Sequence, residues 1–168
     1  MPWYAHTCRL QSANASGMLA GPEQQAHAAC FVMQLQAQSQ TMLGTLAALT
    51  FSLLAAVVVA FQIALVCGAP FGEITLGGKY RGSLPFRVRV VPAVSACLLA
   101  GFAVVVAARA GLAFPAFAAT SRTLVWIVIA YCVVGVFANY FTPSPRERLV
   151  WLPVVLLLLL TSVIVATS

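Results

Sequence analysis

The sequence predicts an all-α fold: a polytopic transmembrane bundle of four helices behind a disordered N-terminal tail. Three observations carry this reading. Hydrophobic residues fill 62% of the 168 positions and charged residues only 7%, against roughly 25% charged in a soluble domain. So little charge cannot cover a water-facing surface, and most of the chain must therefore face lipid. Four uncharged apolar runs each approach the ~20 helical residues that cross a bilayer core of ~30 Å. Prolines fall near the ends of those runs, where a missing N–H does little harm.

The first run is residues 43–67, LGTLAALTFSLLAAVVVAFQIALVC. The second is about 91–108, the third about 123–141 and the fourth 149–167, and none holds a charged side chain. Lipid offers no hydrogen bonds, so each run must satisfy its own backbone, as a helix does. Pro92 opens the second run, Pro143 and Pro145 close the third, and Pro153 lies one turn into the fourth, giving at most a mild kink.

Residues 1–42 differ in kind. The stretches SANASGM and QLQAQSQ are polar, uncharged and without sustained periodicity, so this part is expected to be disordered or a non-native extension. Met33 and Met42 are alternative starts to Met1. Cys8 and Cys30 are able to bridge if the tail lies outside the cytoplasm. Cys67, Cys97 and Cys132 fall in or beside apolar runs and read as packing residues. No cysteines pair at CxxC spacing and no histidine lies near the last three, so neither a metal site nor a cofactor is expected.

Short-loop bases set orientation. The first link carries Lys79, Arg81, Arg87 and Arg89, and the third carries Arg146 and Arg148; the opposite side has Arg109 and Arg122 near the membrane. Six against two puts the first and third links in the cytoplasm and both termini outside.

Groups able to carry chemistry are few. There is no Asp; His6 and His27 lie in the tail; from residue 43 onward the acids are Glu73 and Glu147. A proton relay, a carboxylate pair or a Ser-His-Asp arrangement is poorly supplied. The longest interruption, 67–85, holds Gly68, Pro70, Phe71, Gly72, Glu73, Gly77 and Gly78. It predicts a compact loop at the membrane interface, either an ordered turn or a ligand site. Ile74 and Leu76 point the same way if it is extended. Glu73 is expected to pair with Lys79 or Arg81, or else to anchor the loop or a cationic ligand group. Lys79, Arg81, Arg87 and Arg89 form a cluster suited to anionic lipid, at about 1 kcal/mol per base. Arg146 and Arg148 read likewise, with Glu147 offset by its neighbours.

Within the runs, Gln62, Ser95 and Asn139 are the polar exceptions, and amides in lipid usually face another helix. Cys132, Gly135 and Asn139 share one face of the third run. Gly44, Ala48, Ala56, Ala60 and Ala64 form a small-residue series along the first. These two faces predict the helix seam. The leucine run 156–160 has no such face and is expected to look at lipid.

Two blocks carry a resemblance: GAPFGEITLGGKYRGSLPFRVR, and the S-P-x-E-R-x-x-W-x-P pattern from Ser144 to Pro153. Together they resemble small uncharacterised bacterial inner-membrane proteins of four helices, in which the loop aromatic is more often Trp than the Phe71 found here. The resemblance covers about residues 43–168 and implies a fold and a bacterial inner membrane, with no known activity. The sequence therefore points to non-enzymatic binding or assembly. Its expected partners are anionic lipids, a membrane protein or a second copy, and not nucleic acid. Two alternatives stand beside it: a carrier or exporter subunit with Gln62, Ser95 and Asn139 lining a path, and a lipid-modifying enzyme using Glu73 and nearby bases.

Overall fold

The computed structural model describes residues 22–168, with side chains from residue 27 on. The described residues form four α-helices joined by short 3₁₀ turns, with no strand among them. Helix α1 is Pro22–Val66, α2 is Val90–Arg109, α3 is Ala118–Tyr140 and α4 is Pro145–Thr167. All four are long and apolar enough to cross a membrane. The fold is that of a multi-pass integral membrane protein.

Helix α1 begins 21 residues before the first expected span. Residues 22–42, expected to lack structure, are helical. After Pro22 at the helix start they contain neither proline nor glycine and are rich in Gln and Ala, so intrinsic propensity outweighs the missing amphipathic pattern. The Cys8 half of the expected bridge to Cys30 lies outside the described residues. The chain divides into two units between Gln40 and Thr41, and the second, Thr41–Ser168, contains the candidate site.

In this second unit a buried core runs through all four helices, with Phe51 and Val58 of α1, Leu99 and Val106 of α2, Val128 of α3 and Val165 of α4. The buried stripe of α1 is Gly44, Ala47, Ala48, Phe51, Ala55, Val58 and Leu65, a spacing of three and four that keeps one face inward. Ala48 lies on it, but Ala56 and Ala60 are exposed, against expectation. A strict four-residue spacing drifts ~40° around the helix at each step, so the small series leaves the stripe. The leucine run of α4 is likewise divided: Leu156, Leu157 and Leu160 are exposed, while Leu158 is buried. A helix turns every residue past the core regardless of composition.

Large apolar side chains cover the outside, among them Leu46, Leu49 and Leu53 on α1 and Trp126, Val134 and Phe137 on α3. In water so large an apolar surface would drive association; in lipid it matches its solvent. The helices meet at two ends. At one, the Arg89 Nη1–H donates to the Val66 carbonyl at 3.3 Å, joining the end of α1 to the start of α2. At the other, the Arg109 Nη2–H donates to the Ala166 carbonyl at 3.1 Å, and Gly44 lies against Ser168.

Candidate functional site

The site is assembled at the arginine-rich end. Helix α1 stops at a Schellman turn: Gly68 N–H donates to the Leu65 carbonyl at 3.1 Å and Ala69 N–H to the Ala64 carbonyl at 2.9 Å. Gly68 takes φ +95°, the left-handed conformation this turn requires and glycine supplies. The loop then closes on itself where Gly72 N–H donates to the Gly82 carbonyl at 2.9 Å. Between these points the chain coils through 3₁₀ turns at Gly72–Ile74 and Leu76–Gly78. It is not extended, so Ile74 is half-buried while Leu76 is exposed. Leu76, Gly77 and Gly78 all take positive φ, at 50°, 75° and 70°. This succession aims the Gly77 N–H across at α4.

Helix α4 starts at the SPRE sequence. Ser144 is its N-cap and accepts from Glu147 N–H at 3.3 Å, with Pro145 in the first turn. In a capping box the glutamate would turn back to the cap's own N–H. Glu147 instead reaches away from the cap: its Oε2 accepts from Gly77 N–H at 2.7 Å and from the Thr142 hydroxyl at 3.1 Å. Further contacts dock the same two loops. Arg146 pairs with Glu73 at 3.0 Å, Ser144 Oγ–H donates to the Glu73 carbonyl at 3.4 Å, and Trp151 Nε1–H donates to the Ile74 carbonyl at 2.7 Å. The Trp151 ring lies 4.7 Å from Phe61, which lies 5.8 Å from Phe71.

Two expectations are corrected here. Glu73 pairs with Arg146 of the third link, not with Lys79 or Arg81. Glu147 is engaged by neutral donors and not by its neighbours Arg146 and Arg148. Chain proximity suggested the nearer partners; the docking of one loop on the other brings in the distant ones.

Beneath the docked loops lies a cavity of about 220 Å³. All five seam candidates line it: Gln62 of α1, Ser95 of α2, and Cys132, Gly135 and Asn139 of α3. The small side chains leave space between the helices. Gly135 is also a close approach, since a Cβ there would stand 3.1 Å from Val155. Asn139 Nδ2–H donates to the Gly135 carbonyl at 2.8 Å, which leaves its amide oxygen open. Gln62 and Ser95 make no side-chain hydrogen bond among the described residues.

The other candidates fall elsewhere. Gly68, Pro70, Phe71, Gly72 and Gly78 shape the loop without lining the cavity, and Gly77 meets it only through the Glu147 contact. Lys79, Arg81, Arg87 and Arg148 are exposed around the loops. Arg89 turns inward: its Nε–H donates to the Leu84 carbonyl at 2.9 Å, beside the bond to Val66. Sequence reasoning missed Glu147 and Trp151, which close the cavity, and Tyr131 and Thr75 on its wall. The SPRE spacing signals a helix start with an acid in its first turn, but nothing local reveals a contact with Gly77. Comparison with protein-family models, with curated proteins and with solved structures finds no significant match for the chain.

Proposed function

We propose that this chain is a small bacterial inner-membrane protein that acts by binding, without catalysis, and that its ligand sits in the bundle beneath the docked loops. One observation carries the proposal: five residues picked out as polar or small exceptions on three separate helices line a single cavity. Its 220 Å³ is below the ~300–1,000 Å³ of pockets for drug-sized molecules, so the ligand is small. The walls are mostly apolar with a few polar groups, the usual make-up of a small-molecule site.

The proposed orientation has both docked loops in the cytoplasm and both termini outside. It is supported by the excess of bases on the first and third links. Exposed Lys79, Arg81, Arg87 and Arg148 are then placed to meet anionic headgroups. The bacterial setting rests on the resemblance of the loop and SPRE blocks.

The test is native mass spectrometry of the full chain released from detergent, beside a Ser95→Phe variant that fills the cavity. A small molecule retained by the wild type and lost from the variant is the expected result. Identical spectra for the two, with the variant monodisperse, would end the proposal.

A further inference from the structure

We infer that the ligand of this cavity is a small amphipathic organic cation: an ammonium group carried on an apolar body. The inference rests on the binding reading above and adds the charge of what binds.

Glu147 is the one charged side chain lining the cavity. Among the described residues the single ion pair is Arg146 with Glu73, so no base is in direct contact with Glu147. Its partners are a backbone N–H and a hydroxyl; these orient the carboxylate and bring no formal positive charge. Its place in the first turn of α4 is favourable for an anion. The adjacent bases point elsewhere: Arg146 reaches Glu73, and Arg148 is exposed. The result is a half-buried negative charge at the wall of a largely apolar cavity.

The rest of the wall suits the same ligand. The open amide oxygen of Asn139, the amide oxygen of Gln62 and the Ser95 hydroxyl can accept hydrogen bonds from an ammonium group. The aromatic rings of Trp151 and Tyr131 line the cavity too, and aromatic faces attract cations by roughly 0.5–2 kcal/mol. An anion would meet the carboxylate of Glu147 and no base. A neutral molecule would gain at most a hydrogen bond to the carboxylate, whereas a cation gains the full attraction of the charge, which is stronger in an apolar surround than in water.

The experiment titrates the purified full chain in detergent, at neutral pH, with phenethylammonium and with its neutral isostere 2-phenylethanol, by calorimetry. The wild type is expected to bind the cation about tenfold or more tightly than the alcohol. Glu147→Gln keeps an acceptor oxygen for Gly77 but removes the charge, and is expected to erase that preference. Glu147→Asp keeps the charge but shortens the reach to Gly77, and is expected to retain the preference. Equal binding of cation and alcohol by the wild type, with both lost in Ser95→Phe, overturns the cation and leaves the cavity reading standing. Binding of neither probe overturns both. A preference that survives in Glu147→Gln and vanishes in Glu147→Asp assigns Glu147 to loop docking alone and also overturns the inference.

Discussion

The carboxylate of Glu147 accepts the backbone N–H of Gly77 at 2.7 Å, across 70 positions of sequence. The bond joins the loop after α1 to the first turn of α4, two segments that share no sequence neighbourhood. The same residue is part of one wall of the cavity.

Glu147→Ala is expected to destabilise the protein by about 1–3 kcal/mol, the penalty of leaving a donor such as the Gly77 N–H without its acceptor. Thermal unfolding in detergent measures the loss, and limited proteolysis places it: cleavage should rise within residues 68–85. An unchanged melting temperature would show that the loops dock without this bond.

Two glycines should behave in opposite ways. A Cβ on Gly72 would stand 2.6 Å from the Tyr80 carbonyl oxygen and 2.7 Å from that of Gly82, both backbone atoms that cannot step aside. Gly72→Ala is expected to cost about 1–3 kcal/mol. Gly101, inside α2, has nothing within 4 Å of its Cβ position, and Gly101→Ala is expected to stabilise by up to about 1 kcal/mol. The two melting curves, run side by side, decide the matter.

Trp151→Phe keeps an aromatic ring beside Phe61 but removes the indole N–H that reaches the Ile74 carbonyl. Its expected effect is about 1 kcal/mol, seen as a lower melting temperature. Trp151→Leu, which also loses the ring contact, is expected to cost more. Equal effects of the two substitutions would mean that the N–H, not the ring, holds the loop.

The arginines should fall into two classes. Arg87→Gln and Arg148→Gln are expected to leave the melting temperature alone and to weaken retention of anionic lipid by about 1 kcal/mol each, an effect that salt reduces. Arg89→Gln should do the reverse, since its guanidinium serves the Leu84 and Val66 carbonyls. Lipid content after purification and thermal stability, measured on all three, separate the classes.

The helices were legible because lipid imposes a simple demand: long uncharged runs with satisfied backbones. Composition and length alone reveal α2, α3 and α4 to within a few residues. The start of α1 was not legible, because residues 22–42 have helical propensity without an amphipathic stripe. Gln62, Ser95 and Asn139 stood out because polar groups are rare in such runs, and the structure brings them to one cavity. Glu147 did not stand out: between Arg146 and Arg148 it reads as an ordinary surface acid. Its role depends on the positive φ of three successive loop residues and on a second loop 70 positions away, neither of which is written locally.

The polar ties between elements are unevenly shared. Among the described residues, five join the loop end, from Gly77, Glu73, Ile74 and Val66 to their partners, and one, from Arg109 to Ala166, joins the other end. The two ends are thus clamped by different means: polar ties rivet the loop end, while close packing of Ala48, Val106, Ala108 and Val165, all fully buried, grips the Arg109 end.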